Sequence, residues 1–126
     1  LREDLGTDDK SVKRWCNLLE DNYVLFKIQP YFRRSQTAIK KAPKYYFFDV
    51  PRVSNDGARF ENLVALSIYK EIHYRNDSLG EKYSLHYMRN KNQKEVDFVI
   101  CQNKKPVAML EAKLSDNNLD QYFSIF

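Results

Sequence analysis

Glycine and proline are scarce in this 126-residue chain, with three and four residues respectively. So few breakers exclude a collagen-like, linker-like or loop-dominated polypeptide. There are only two cysteines, Cys16 and Cys101, and neither sits in a C-x-x-C pair or beside a histidine. That excludes a disulfide framework and a Cys/His zinc site, and reads as two buried thiols in a reducing cytoplasm. The two histidines, His73 and His86, stand singly. A general-base role is open for either, beside an ordinary surface or core role. With so few histidines, no Ser/His/Asp or Cys/His nucleophilic arrangement can be composed. Gly6, Gly57 and Gly80 form no GxxxxGK[ST] loop, which excludes a nucleotide-phosphate cradle within these residues. No run reaches the roughly 18 apolar residues of a membrane helix, and no signal peptide opens the chain. The expected setting is cytoplasmic, with no membrane partner.

What is present suffices for a core. The chain is 43% hydrophobic and 14% aromatic, well outside the composition of disordered segments, and its length fits one domain or two small ones. The net charge of +4 is uneven. Residues 1–60 carry 12 Lys/Arg against 8 Asp/Glu, whereas residues 61–126 balance at 9 against 9. Between Lys27 and Lys44 lie Arg33, Arg34, Lys40 and Lys41, with no acid and with Tyr31 and Phe32 interleaved. This segment is either a phosphate-backbone contact or a solvated basic loop.

Thr7-Asp8-Asp9-Lys10 offers an N-cap and an acidic first turn for a helix running to about Asn22. Val12, Trp15, Leu18 and Leu19 recur at helical spacing as its expected buried stripe, with Lys10, Lys13, Arg14 and Asn17 facing the other way. A strand over Tyr23–Ile28, a basic loop and a strand over Lys44–Asp49 follow, in helix-plus-wing order. On this reading the aromatic strand Tyr45, Tyr46, Phe47 and Phe48 serves the core, with base stacking as the alternative. Pro51–Gly57 is the clearest breaker cluster and the expected domain boundary, dividing a segment 1–52 from a segment 53–126. Ser54, Asn55 or Asp56 caps a helix over about Ala58–His73, and Asn76–Gly80 reads as a loop. An alternating strand over Tyr83–Met88 and two further strands around Lys104 complete the pattern, with an amphipathic helix over Asn118–Phe126. Both ends read as cut from a longer chain.

The last two strands, EVDFVICQNKKPVAMLEAK from Glu95 to Lys113, carry the chemistry. Strict alternation places Asp97 on one face with Val99 and Cys101, and Glu111 and Lys113 on one face with Met109. A turn centred on Lys104 sets Asp97 opposite Glu111. Two like charges facing across a sheet are destabilising. They become reasonable around a hard divalent cation, Mg²⁺ or Mn²⁺. Lys113 then orients a water or stabilises charge on a phosphate. The plain alternative is an exposed charged face on which Lys113 pairs with Glu111 or Asp97, and a one-residue register slip breaks the site.

Glu61 adds to this, because it falls on the same helical arc as Val64, Ala65, Ile68 and Ile72. A buried, unpaired acid costs on the order of several kcal/mol, of which a first-turn position recovers only about 0.3–1 kcal/mol. A partner at a metal site explains it; fraying outward at the helix start is the alternative. Glu95 reads as a supporting acid or a gatekeeper charge. Arg89 and Lys91 read as a solvated turn in preference to phosphate contacts.

In this order, FENLVA on a helix, KEVDFVI on a strand and LEAKLS on the next resemble the PD-(D/E)xK nuclease superfamily. More narrowly, KAPKYYFFD, GARFENLVALSIYKE, KEVDFVI and LEAKLS are similar to the C-terminal domain of unknown function of prokaryotic AAA-type ATPases. In that family the domain follows a winged helix, here matched by DDKSVKRWCNLLEDNYVLFKIQPYF. The resemblance implies an α/β chain: a partial winged helix over 1–52, then a restriction-endonuclease-like (PD-(D/E)xK) mixed-sheet core over 53–126, truncated at both ends. It implies catalytic roles for Glu61, Asp97, Glu111 and Lys113, with Asp97 and Glu111 as ligands of Mg²⁺ or Mn²⁺. Nucleic acid, DNA in the first place, is the implied partner, met by Lys10, Lys13, Arg14, Arg33, Arg34, Lys40 and Lys41. An ATPase module in the same full-length protein is the other. A non-catalytic module binding DNA or protein, or an oligomerisation domain of the ATPase, is the competing expectation.

Overall fold

A computed structural model of the chain describes residues 8–32, 42–89, 92 and 94–114. Among the described residues, two helices and five strands follow in the order α1 (Asp9–Asp21), β1 (Leu25–Pro30), β2 (Lys44–Phe47), α2 (Asp56–Leu79), β3 (Tyr83–Arg89), β4 (Glu95–Gln102) and β5 (Lys105–Leu110), with a 3-10 turn at Val50–Arg52. The strands form one mixed sheet in the order β2-β1-β3-β4-β5. Only β1 and β3 are parallel, joined through Gln29↔His86 and Pro30↔Tyr87; all other neighbours are antiparallel. The sheet therefore includes strands from both sides of Pro51–Gly57. The architecture is α/β, as expected. Arg33, Arg34, Lys40, Lys41, Lys91 and the helix expected over Asn118–Phe126 lie outside the described residues.

Helix α1 starts where the sequence indicates, with the Asp8 side chain accepting a hydrogen bond from Ser11 N at 2.8 Å. Its expected buried stripe is overturned. Cys16 is the buried residue, while Trp15, Leu18 and Leu19 are exposed. The helix packs on β1, and one strand is too narrow to cover a full apolar arc. Trp15 lies about 100° around the helix from Cys16 and misses it. The helix closes with Tyr23 in the left-handed region (φ 57°), Tyr23 N donating to Glu20 O and Val24 N to Leu19 O. This is a Schellman closure at the position usually held by glycine, and it delays β1 to Leu25, two residues past the expected Tyr23. Tyr23 is 80% exposed, so its side chain contributes little packing in return. Tyr23→Gly is therefore expected to raise stability by about 0.5–1 kcal/mol, seen as a higher thermal midpoint.

Helix α2 is longer at both ends than the sequence suggests. Asn55 caps it by accepting from Ala58 N at 2.9 Å, and Gly80 ends it in the left-handed conformation (φ 67°). The expected loop at Asn76 is helical because the polar side chain has a partner: Asn76 Nδ2 donates to Tyr83 O at 2.9 Å, and Tyr83 N donates to Asn76 Oδ1 at 2.8 Å. Near the other end Asn62 makes the same pair of bonds with Phe47, both at 2.8 Å. Two asparagines thus fasten α2 to β2 and to the start of β3. Between them Ala65, Leu66, Val64, Ile68 and Tyr69 pack on Phe26, Ile28, Tyr46, Tyr87 and Phe98. The opposite face of the sheet carries a smaller cluster of Val96, Val99 and Cys101 with Tyr31, Met88 and Met109.

Candidate functional site

The placement of Asp97 depends on an irregularity in β4. On the β3 side the register runs His86↔Val99 and then Met88↔Val96, so Asp97 and Phe98 together oppose Tyr87. Such a bulge interrupts the two-residue alternation and re-aims the side chains that follow. Val96 consequently joins Val99 and Cys101 on the far face, while Phe98 packs under α2. Asp97 is separated from the Val99 face on which strict alternation placed it, and that expectation is corrected. Arg89 and Glu95 form the next pair after the bulge and are bonded to each other.

Two further features set the opposite strand. Asn103 and Lys104, both at positive φ (51° and 67°), make a two-residue turn, so the hairpin centres between them and not on Lys104. An extra residue in β5, between Pro106 and Ala108, restores the expected register, giving Ile100↔Ala108, Val99↔Met109 and Phe98↔Leu110. Strand β5 ends there, one position before Asp97 would meet Glu111. Asp97 instead commits Oδ2 to the backbone N–H of Ala112 at 2.9 Å. Burial pushes the Asp97 carboxyl above its ordinary value; the Ala112 bond and Lys44 oppose this, and the nearby Glu61 and Glu111 add to it. Glu61 and Glu111 are therefore each within electrostatic reach of Asp97. Lys113 pairs with Glu111 at 3.2 Å.

Glu61 neither frays outward nor sits in the first turn, since α2 begins at Asp56. It occupies the helix edge, beside the face centred on Asn62, Ala65 and Leu66. Its Oε1 accepts a hydrogen bond from Tyr46 Oη at 2.7 Å and lies 3.6 Å from Lys44 Nζ. Lys44 Nζ also hydrogen-bonds Glu95 Oε1, and Arg89 holds Oε2 of the same carboxylate through Nε at 3.1 Å and Nη2 at 2.6 Å. Burial alone would raise the Glu95 carboxyl, but Lys44 and Arg89 outweigh it and hold it below its ordinary value. The Tyr46 hydroxyl is driven the other way, well above the ordinary phenol range, by burial and then by Glu61. It stays a donor at any working pH.

The site thus contains residues the sequence reading placed elsewhere. Lys44 was grouped with a basic loop and Arg89 with a solvated turn; Tyr46 packs in the core as expected, and its hydroxyl also reaches Glu61. One signal was available: Lys44 and Tyr46 are two apart on a strand and share a face, just where an acid on α2 needs a cation and a donor. Of the residues proposed to meet nucleic acid, Lys10, Lys13 and Arg14 are exposed on α1 and line an open depression with Trp15, Asn17, Leu18 and Asp21.

Among the described residues, no three Asp, Glu, His or Cys side chains form a group that could hold a metal ion. The candidate is a two-carboxylate site, and Mg²⁺ is commonly held by one or two carboxylates with water completing its shell. The oxygen-only donor set, and an aspartate raised by burial and then by neighbouring acids, fit a hard divalent cation. No helix among the described residues is long and apolar enough to cross a membrane.

No curated protein and no solved structure matches the chain. Residues 1–51 match the model of a family described as Domain of unknown function (DUF8612), and residues 56–126 that of a second, Domain of unknown function (DUF4143). The latter match spans more than half of the chain, which therefore belongs to the DUF4143 family.

Proposed function

We propose that the acids gathered at the edge of α2 form a Mg²⁺- or Mn²⁺-dependent centre that hydrolyses nucleic-acid phosphodiester bonds, in a domain attached to an AAA-type ATPase. The observation that carries this reading is the β4 bulge. It separates Asp97 from the Val99 face and leaves it half-buried and within reach of Glu61 and Glu111; burial first, and then these acids, raise its carboxyl. Charges held together against their own repulsion are a mark of functional sites. Asp97 and Glu111 hold the cation, which when bound supplies Lewis-acid polarisation of a phosphoryl oxygen and a more acidic water. Lys113, kept at Glu111 by their ion pair, donates to a phosphate oxygen or orients the attacking water. Glu61, fixed by Tyr46 and Lys44, bounds the site on the helix side. Residues 1–52 provide the nucleic-acid contacts through Lys10, Lys13 and Arg14, and residues 53–126 the chemistry.

Cleavage of DNA and RNA oligonucleotides by the chain with Mn²⁺, Mg²⁺ or chelator tests this. Metal-dependent cleavage, reduced at least about 10²-fold in Asp97→Asn, is the expected result. Salt-sensitive binding with no cleavage under any metal condition would sink the catalytic reading. It would favour a second one, a non-catalytic binding module, which has its own support: Lys44 already neutralises Glu61 and Glu95 from within the protein.

A further inference from the structure

We propose that Lys44 is a tethered counter-ion of this acidic site, holding Glu61 and Glu95 in the metal-free protein and withdrawing when a divalent cation binds at the neighbouring Asp97 and Glu111. The inference rests on the metal-centre reading above and adds to it a built-in competitor that sets how much metal the site requires. Lys44 is the first residue of β2, paired with Ile28 of β1, and its ammonium reaches across to Glu95 at the start of β4 and Glu61 on α2. It also lies 5.1 Å from the centre of the Tyr87 ring.

Three features make this ion pair displaceable. Each acid that Lys44 bonds has a second partner: Glu95 keeps the two bonds from Arg89, and Glu61 keeps the Tyr46 hydroxyl at 2.7 Å. Withdrawal of the ammonium therefore orphans neither carboxylate. The residue is also a lysine, a point charge on a flexible four-carbon stem, whereas the Glu95–Arg89 pair uses the planar fork suited to a fixed contact. Finally, the Tyr87 ring face gives the ammonium a favourable neighbour beside the carboxylates. The influence of Lys44 also extends to Asp97, whose carboxyl it lowers against burial and the push of Glu61 and Glu111. A cation entering beside Asp97 thus meets a positive charge already present, and removing that charge strengthens its binding.

Calorimetric titration of Mn²⁺ into the wild-type chain, Lys44→Met, Lys44→Gln, Lys44→Arg and Asp97→Asn tests the inference, with thermal midpoints recorded in chelator and in Mn²⁺. Lys44→Met and Lys44→Gln are expected to bind Mn²⁺ about tenfold more tightly than wild type. They are also expected to melt lower in chelator and to recover more of their midpoint on adding Mn²⁺. Lys44→Arg keeps the charge and stays at or below wild-type affinity, and Asp97→Asn loses the binding. If wild type binds Mn²⁺ while folded Lys44→Met or Lys44→Gln binds it no more tightly, Lys44 is a structural ion pair: the inference is overturned and the metal reading stands. If folded wild type and folded Lys44→Gln both fail to bind, the metal reading fails and the inference falls with it. Should Lys44→Met not fold, the neutral but hydrogen-bonding Lys44→Gln decides alone. Should neither neutral variant fold, Lys44 is a fixed structural requirement and not a displaceable ion.

Discussion

Asn62→Ala is expected to lower the unfolding free energy by about 2–4 kcal/mol, read from urea or thermal denaturation. Asparagine is a poor helix former, and alanine at the same place should gain roughly half a kcal/mol of propensity. The loss is larger because Asn62 is 3% exposed and both ends of its amide are in use, accepting from Phe47 N and donating to Phe47 O at 2.8 Å. Phe47 belongs to β2, the edge strand of the sheet, so these backbone groups face away from β1 and have the Asn62 amide where another strand would be. Alanine removes two hydrogen bonds at once and leaves a donor and an acceptor under the helix, each costing about 1–3 kcal/mol if water does not reach it. Ser67→Ala is the companion measurement. Its hydroxyl bonds Leu63 O on the exposed side of the same helix, and its removal should stay within about 0.5 kcal/mol. Equal effects of the two substitutions would show that Asn62 is not the clasp between α2 and the sheet edge.

The asparagine also shows what the sequence could and could not convey. Helix α2, the strands and the hairpin were legible in outline because period and turn chemistry are local: Asn55 was among the expected caps and Tyr83–Met88 alternates, although the helix runs on past His73 to Leu79. The acids Glu61, Asp97 and Glu111 were legible too, as residues out of keeping with their surroundings. Their arrangement was not. Whether Asp97 faces the helix depends on a bulge opposite Tyr87, which requires the partner strand's register and not the residues of β4 alone. The Trp15–Leu18–Leu19 stripe misled because apolar spacing marks a face without saying what covers it, and α1 rests on β1 through Cys16. Asn62 and Asn76 looked like weak points of a helix; their partners, Phe47 and Tyr83, lie on strands whose placement no local pattern discloses.

Asp97→Asn should separate function from stability by moving them in opposite directions. In chelator near pH 7 the variant is expected to be more stable than wild type, because the Asp97 carboxyl is raised in the folded state, while Mn²⁺ binding and metal-dependent cleavage are lost. The amide can still accept the hydrogen bond from Ala112 N, so the backbone contact at 2.9 Å survives. What disappears is a half-buried charge beside Glu61 and Glu111. The sign follows from the raised carboxyl: a folded state that binds this proton more tightly than the unfolded chain is favoured at low pH. It loses that advantage as pH rises from about 3.9, the unfolded aspartate value, through the higher folded one. Glu95 acts the other way, since its depressed carboxyl adds stability above the unfolded value and loses it as pH falls through the folded one. The wild-type curve mixes the two, and subtracting it from that of Asp97→Asn isolates Asp97. The difference should be small in acid, grow with pH across that window and level off above it. Asp97→Ala, which also gives up the Ala112 bond, should fall below Asp97→Asn at every pH. If Asp97→Asn is instead less stable than wild type at neutral pH without metal, the carboxylate is favourably paired within the protein. Asp97 would then be a structural ion, and the strain that marks it as a metal ligand would be absent.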